Sequence, residues 1–184
     1  EIKGVGTMGL ITYMRTDSVR ISEEARTAGN QFIEEHFGKN YLPAKPRYYK
    51  TKASAQDGHE AIRPTVISLT PAMAKPSLTS EQYKLYKLIW ERFMASLMAA
   101  CIQSTQSIDI SAADYIFRAS GYTVKFDGYT AVYSSAKDED EEGESVLPPL
   151  AEGDILVLRD LAGNQHFTQP PARYNDATLI DVME

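Results

Sequence analysis

The sequence predicts an α+β fold in which a mainly helical half precedes an antiparallel β half. Two stretches before residue 101 repeat their apolar side chains at three- and four-residue steps, and beyond it the period shortens to two. A mean hydropathy of −0.33, with 43% hydrophobic and 24% charged residues, is ordinary for a soluble globular chain. At 184 residues there is ample chain for a buried core. No apolar run approaches the roughly 20 residues of a membrane-spanning helix.

Taken in order, Gly9-Leu10-Ile11-Thr12-Tyr13-Met14 reads as a short buried strand, closed by the turn-forming Thr16, Asp17 and Ser18. Residues 22–37 read as a helix: Ser22 caps it, Glu23 and Glu24 suit its positive end, and Ala25, Ala28, Phe32 and Ile33 share a face. Gly38 ends it. Residues 39–58 hold Pro43, Pro46 and Gly58 without a period, which marks a long loop. Thr79-Ser80-Glu81-Gln82 has the form of a capping box, and Tyr86, Ile89, Trp90, Phe93 and Leu97 continue it as an amphipathic helix to about Cys101. Cys101 is expected to fill a buried place on its apolar face. Strand alternation then covers 107–110, 115–117, 122–126 and 129–133, with turns at Gly121 and Asp127-Gly128. A further strand is expected at 154–158, a turn at Gly163-Asn164, a break at Pro170-Pro171, and helix from Asp176.

The formal net charge of −6 argues against a nucleic-acid binder only until it is divided along the chain. Residues 1–136 carry 16 basic and 13 acidic side chains, whereas residues 137–184 carry 3 and 12. Six of those acids fall in Asp138–Glu144, a self-repelling run that reads as a solvated loop. Its Asp138-Glu139-Asp140 is therefore assigned no metal. A single cysteine excludes an internal disulfide and a multi-cysteine zinc site, and fits a reducing, cytoplasmic setting. The chain opens at Glu1 rather than Met, shows no secretory leader, and stops inside a helical stretch. An excerpt cut at both ends is expected.

Gly4-x-Gly6-x-x-Gly9 has the letters of a dinucleotide fingerprint, but a strand rather than a helix follows it, so it reads as linker. Phosphate-binding Gly-x-x-x-x-Gly-Lys, His-Glu-x-x-His and Gly-x-Ser-x-Gly motifs are all absent from the sequence, which removes the usual supports of P-loop, zincin and hydrolase readings. Lys45, Arg47, Lys50 and Lys52 lie within eight residues, with Tyr48 and Tyr49 among them. Cations attract a phosphate backbone and aromatic faces stack on unpaired bases, so this loop has the chemistry of a single-strand DNA contact. An ordinary exposed loop would be lysine-rich too. Tyr13 and Arg15, two residues apart on an extended strand, would share a face with Cα atoms about 7 Å apart. A tyrosine hydroxyl attacks a phosphodiester only when its proton is taken and the developing charge is met, and the planar fork of an arginine suits the second task. Spacing alone does not single out one tyrosine among eleven.

The segment Gly9–Ser18 resembles the active-site signature of the bacterial type IA DNA topoisomerases, in the topoisomerase I form with Met14 rather than proline after the preceding tyrosine. His59-Glu60-Ala61-Ile62-Arg63-Pro64-Thr65, Leu88–Phe93 and Gln165–Tyr174 resemble further motifs of the same family in the same order. The resemblance covers essentially the whole chain. It implies that Tyr13 opens one DNA strand through a 5′-phosphotyrosine link, that Arg15 steadies the scissile phosphate, and that His59 positions or polarises it. Asp17, Arg63 and Arg173 become candidates for orienting the active-site strand or gripping phosphates, each equally an ordinary salt-bridge partner.

The resemblance also implies an organisation: residues 1–104 as a helical active-site domain, 105–168 as an antiparallel β arch or hinge with its acidic loop at 137–145, and 169–184 as the start of a further helical domain. The family's magnesium-binding acids and lysine belong to an N-terminal toprim domain, and only twelve residues precede Tyr13 here. Magnesium is thus expected in the complete enzyme and not in this segment, with the toprim domain and single-stranded DNA as partners. The complete enzyme is expected to relax negative supercoils without ATP, and the isolated chain to bind single-stranded DNA without relaxing. A noncatalytic DNA- or partner-binding arch, or a segment of reverse gyrase, are the alternative readings.

Overall fold

The structure, a computed structural model, describes residues 6–14, 16–49, 59–133 and 146–183. The chain is α+β. It divides into two compact units, residues 1–148 and 149–184.

In the first unit, helix α1 spans Glu23–His36, short helix α2 Pro71–Ala74 and helix α3 Ser80–Leu97. Both long helices begin as their sequence dictates. The Ser22 side chain accepts from the Ala25 N–H, with Glu23 and Glu24 in the positive first turn of α1. At α3 the capping box is complete: the Gln82 N–H donates to Thr79 Oγ1 at 3.2 Å and the Thr79 N–H donates to Gln82 Oε1 at 3.1 Å. Phe32 and Ile33 of α1 meet Tyr86, Trp90, Phe93, Met94 and Leu97 of α3 in the core, joined by Ile67, Leu69 and Ala74. The two helices approach closely at Gly29, where a Cβ would lie 2.4 Å from Leu97 Cδ1.

Two aromatic residues of α3 do more than fill space. The Tyr86 hydroxyl donates to the Leu69 carbonyl at 2.7 Å, and the Trp90 indole N–H to the Ile67 carbonyl at 3.0 Å. These satisfy buried backbone acceptors and lock residues 67–69 onto the helix. Because 67–69 follow directly on 59–65, α3 fixes the segment that carries His59.

Strands β1, Ile102–Ala112, and β2, Tyr115–Phe126, form a two-stranded antiparallel ribbon turning at Ala113-Asp114. Three of the short strands expected from the alternation lie within it: Gly121 pairs with Gln106 inside the ribbon instead of turning the chain. Asp109 and Arg118 are cross-strand partners and pair through two hydrogen bonds at 2.7 and 2.9 Å. The ribbon is anchored at its base. The Tyr41 hydroxyl donates to Asp127 Oδ1 at 2.7 Å, the Tyr129 N–H donates to the Ala99 carbonyl, and the Ala99 N–H to the Tyr41 carbonyl.

Other expectations need correction. Residues 129–133 are not a strand: Gly128–Ala131 is a single 3-10 turn, entered through Gly128 at φ +53°. Cys101 is half-buried and lies beyond the end of α3. Among the described residues, residues 9–14 make a single bridge, Ile11 to Pro64, rather than a strand. The expected strand at 154–158 has no partner among the described residues. Ile155 and Val157 are 93% and 85% exposed, and the described residues of the second unit carry no regular element besides a turn at 152–153 and helix α4, Asp176–Met183. The acidic loop expected at 137–145 lies outside the described residues.

Candidate active site

The segment before Tyr13 is stitched to residues 61–65 by both backbone and side chains. The Thr12 N–H donates to the Arg63 carbonyl at 2.9 Å and the Thr65 N–H to the Leu10 carbonyl at 3.0 Å. Hydroxyls extend the pairing: Thr12 donates to the Ala61 carbonyl and accepts from the Arg63 N–H, each at 3.0 Å, and Thr65 donates to the Gly9 carbonyl at 2.6 Å. A short run with too few ladder bonds for a strand is thereby held by threonines. Tyr13 follows the last stitch and is 81% exposed, so its phenol is presented on a fixed backbone rather than packed away.

Beyond Tyr13 the chain is caught again. The Ser18 hydroxyl donates to the His59 carbonyl at 2.8 Å, and the Ala61 N–H donates to the Arg20 carbonyl at 2.8 Å. Between these, His59 Nδ1 lies 2.8 Å from Asp17 Oδ2. An ionised carboxylate can only accept, so Nδ1 carries the proton and Nε2 is the nitrogen left for another group. Asp17 thereby orients the ring and leaves Nε2 facing away from it, a geometry suited to a phosphate oxygen.

Arg63 is turned elsewhere. Its Nη2 and Nε donate to Glu60 Oε2 at 2.9 and 3.1 Å, and its Nη1 donates to the Pro64 carbonyl at 3.2 Å. Burial pushes the Glu60 carboxyl up, but hydrogen bonds from Ser22 and Arg63 and the charges of Arg63 and Arg20 outweigh it, holding the group below its ordinary value. The Ser22–Glu60–Arg63 contacts tie the cap of α1 to the segment bearing His59.

The structure thus places Tyr13 and Asp17 on one segment and His59 and Arg63 on another stitched to it, brings Asp17 and His59 into contact, and turns Arg63 to Glu60. Lys45 is exposed, and Arg47 gives its carbonyl to Arg26 of α1 at 3.0 Å. Arg173 is exposed in the second unit. Arg15, Lys50 and Lys52 lie outside the described residues. Sequence reading missed Thr12, Thr65 and Ser18 as the fasteners of the site. Their side chains reach across 41 to 56 residues, and nothing local in the sequence announces such a contact. Among the described residues no three His, Cys, Asp or Glu side chains gather as a metal site, and Asp17 and Glu60 are engaged by His59 and Arg63. These carboxylates do not fit a magnesium site. No helix among the described residues is long and apolar enough to cross a membrane.

A family model described as DNA topoisomerase matches residues 6–184. Among solved structures, the chain is similar to full-length topoisomerase I from Thermotoga maritima, with 35% identity and a TM-score of 0.65 over 82% of this chain. The match spans 23% of that relative's length.

Proposed function

The chain belongs to the bacterial DNA topoisomerase family, and from that membership we propose that it is the tyrosine-bearing segment of a type IA enzyme that cuts and reseals one DNA strand. The observation that supports this reading most is an exposed Tyr13 following a stitched segment, with the Asp17–His59 pair held at 2.8 Å on the same two segments.

The chemistry follows from those groups. The Tyr13 oxygen attacks the scissile phosphorus, its proton leaves to a base, and the bond from phosphorus to the 3′-oxygen breaks. That oxygen takes up a proton and departs as a 3′-hydroxyl, while the 5′ phosphate stays on the tyrosine. One phosphate ester replaces another, so the reverse attack by the 3′-hydroxyl reseals the strand without ATP. His59, oriented by Asp17, offers Nε2 to a phosphate oxygen, and Arg15 adds a planar cation to the same charge. Arg63 acts indirectly, by fixing Glu60 and the backbone that pairs with Thr12. Lys45, Arg47, Lys50, Lys52 and Arg173 supply sequence-independent phosphate contacts on the single strand.

On this reading the toprim domain of the same enzyme contributes magnesium and the remaining charge stabilisation, and the chain alone binds single-stranded DNA without relaxing supercoils. The setting is the bacterial cytoplasm, at the nucleoid. The test is relaxation of a negatively supercoiled plasmid by the longer protein that contains this chain. Tyr13→Phe is expected to abolish it. Unaltered relaxation by that variant would leave the chain a noncatalytic module.

A further inference from the structure

A groove of about 450 Å3 opens between residues 19–23, which lead into α1, and Tyr48-Tyr49, which follow Arg47. Its size lies within the roughly 300–1,000 Å3 of clefts that hold small ligands. Its walls combine the cations Arg20 and Arg26 and the rings of Tyr48 and Tyr49 with the apolar Val19 and Ile21, and Glu23 is the one acid. Arg26 is only 8% exposed. Its Nη1 donates to the Arg47 carbonyl at 3.0 Å, its guanidinium lies 4.6 Å from the centre of the Tyr48 ring, and Glu23 stands 3.8 Å from its Nε. That Nε is buried with no hydrogen-bond partner among the described residues. A cation stripped of water and incompletely paired draws negative charge towards it.

The aromatic side of the groove is prepared in the same way. Arg26 occupies one face of Tyr48, yet that residue remains 71% exposed, which leaves ring surface open for stacking. Tyr49 is fixed by its hydroxyl, which donates to the Ser96 carbonyl at 3.0 Å. The opposite rim is continuous with the candidate active site, because the Arg20 carbonyl accepts from the Ala61 N–H, two residues past His59. Arg20 is exposed, and Glu60, an acid on which its charge acts, is already held by Arg63.

We propose that this groove is a subsite for one nucleotide of the single strand, its phosphate on Arg20 and its base stacked on Tyr48, with Arg26 as the positioning residue behind the ring. The proposal rests on the reading of the chain as a DNA-cleaving segment, and it joins the Tyr48-Tyr49 loop to Arg20 and Arg26, which no motif marks, as one subsite. A base has a face for Tyr48 and a phosphate has a charge for Arg20. A purely apolar ligand would leave the arginines unanswered, and a free inorganic anion would leave the rings unused.

The experiment uses the 184-residue chain and an oligothymidylate carrying 5-iododeoxyuridine, with photocrosslinks mapped by mass spectrometry and affinity read by fluorescence anisotropy. Crosslinking to Tyr48 or Tyr49 is expected. Tyr48→Ala should weaken binding about tenfold while Tyr48→Phe retains it. Arg20→Gln should lower the slope of log affinity against log salt by about 0.7, one phosphate's share for a single strand. Crosslinks confined to other segments, with affinity indifferent to Tyr48→Ala, would overturn the subsite. Tyr13 adduct formation by the longer enzyme, scored in parallel, separates that failure from failure of the functional reading: an adduct formed despite a silent groove sinks the subsite alone, and no adduct at all sinks both.

Discussion

Tyr13 is one of eleven tyrosines, and exposure does not set it apart, since Tyr48 and Tyr115 are 71% and 72% exposed. Others are plainly committed: burial pushes the Tyr86 phenol up to about 12, and hydrogen bonding to Asp127 raises that of Tyr41. What distinguishes Tyr13 is the backbone beside it, pinned through Thr12. Thr12→Val strands the Ala61 carbonyl and the Arg63 N–H, and is expected to cost about 1–3 kcal/mol in denaturant unfolding. Thr12→Ser should retain most of that stability and the activity with it. A second residue-scale consequence concerns acid. Glu60 titrates below its ordinary 4.5 in the folded chain, so its ion pair with Arg63 contributes stability that is complete above that value and is lost as pH falls through the lower native one. Glu60→Gln should flatten the acid limb of the stability profile below about pH 4.5. An unchanged limb would mean that the pair adds nothing to folding.

Among the elements, α1 and α3 were legible because each carries its own start signal and a 3.6-residue period, information that is local. Where the sequence reading failed, it failed over partners. Alternation at 154–158 describes a pleated surface, but a strand exists only with a neighbour to take its hydrogen bonds, and none stands beside it among the described residues. Residues 129–133 alternate equally well, yet the left-handed Gly128 turns the chain under Ala99 and Ala100, whose backbone leaves no room for a side chain. A Cβ there would lie 2.5 Å from the Ala100 carbonyl oxygen. Gly128→Ala should therefore destabilise by at least the about 1–2 kcal/mol of a left-handed backbone, with the contact adding to it. Protection from hydrogen exchange should fall first at the base of the β1–β2 ribbon. A variant as stable as the parent would show that this junction is loose. The candidate site was legible as a motif around Tyr13 and His59, but its joinery was not: Asp17 finds His59 across 42 residues, an approach set by the hydrogen bonds of Thr12, Ser18 and Thr65 and by the packing of residues 67–69 on α3.

At the scale of the whole molecule, the chain is a family member that spans 23% of its Thermotoga maritima relative, and its chemistry is proportionate to that share. The first unit holds the exposed Tyr13, proposed as the nucleophile, and a histidine oriented by Asp17. Asp17 and Glu60 are engaged by His59 and Arg63, and among the described residues no three His, Cys, Asp or Glu side chains gather for a metal. Such a set can bind a strand and present a phenol to it, while the proposed reaction draws the remaining charge stabilisation from elsewhere in the enzyme. The central claim is that Tyr13 takes the DNA phosphate. The most direct measurement incubates end-labelled single-stranded oligonucleotide with magnesium and the chain, with and without the separate toprim domain, then denatures and looks for label on protein. The account predicts an adduct when both parts are present, at Tyr13, and none with Tyr13→Phe. An adduct that survives that substitution, or one mapped to another tyrosine, would contradict it.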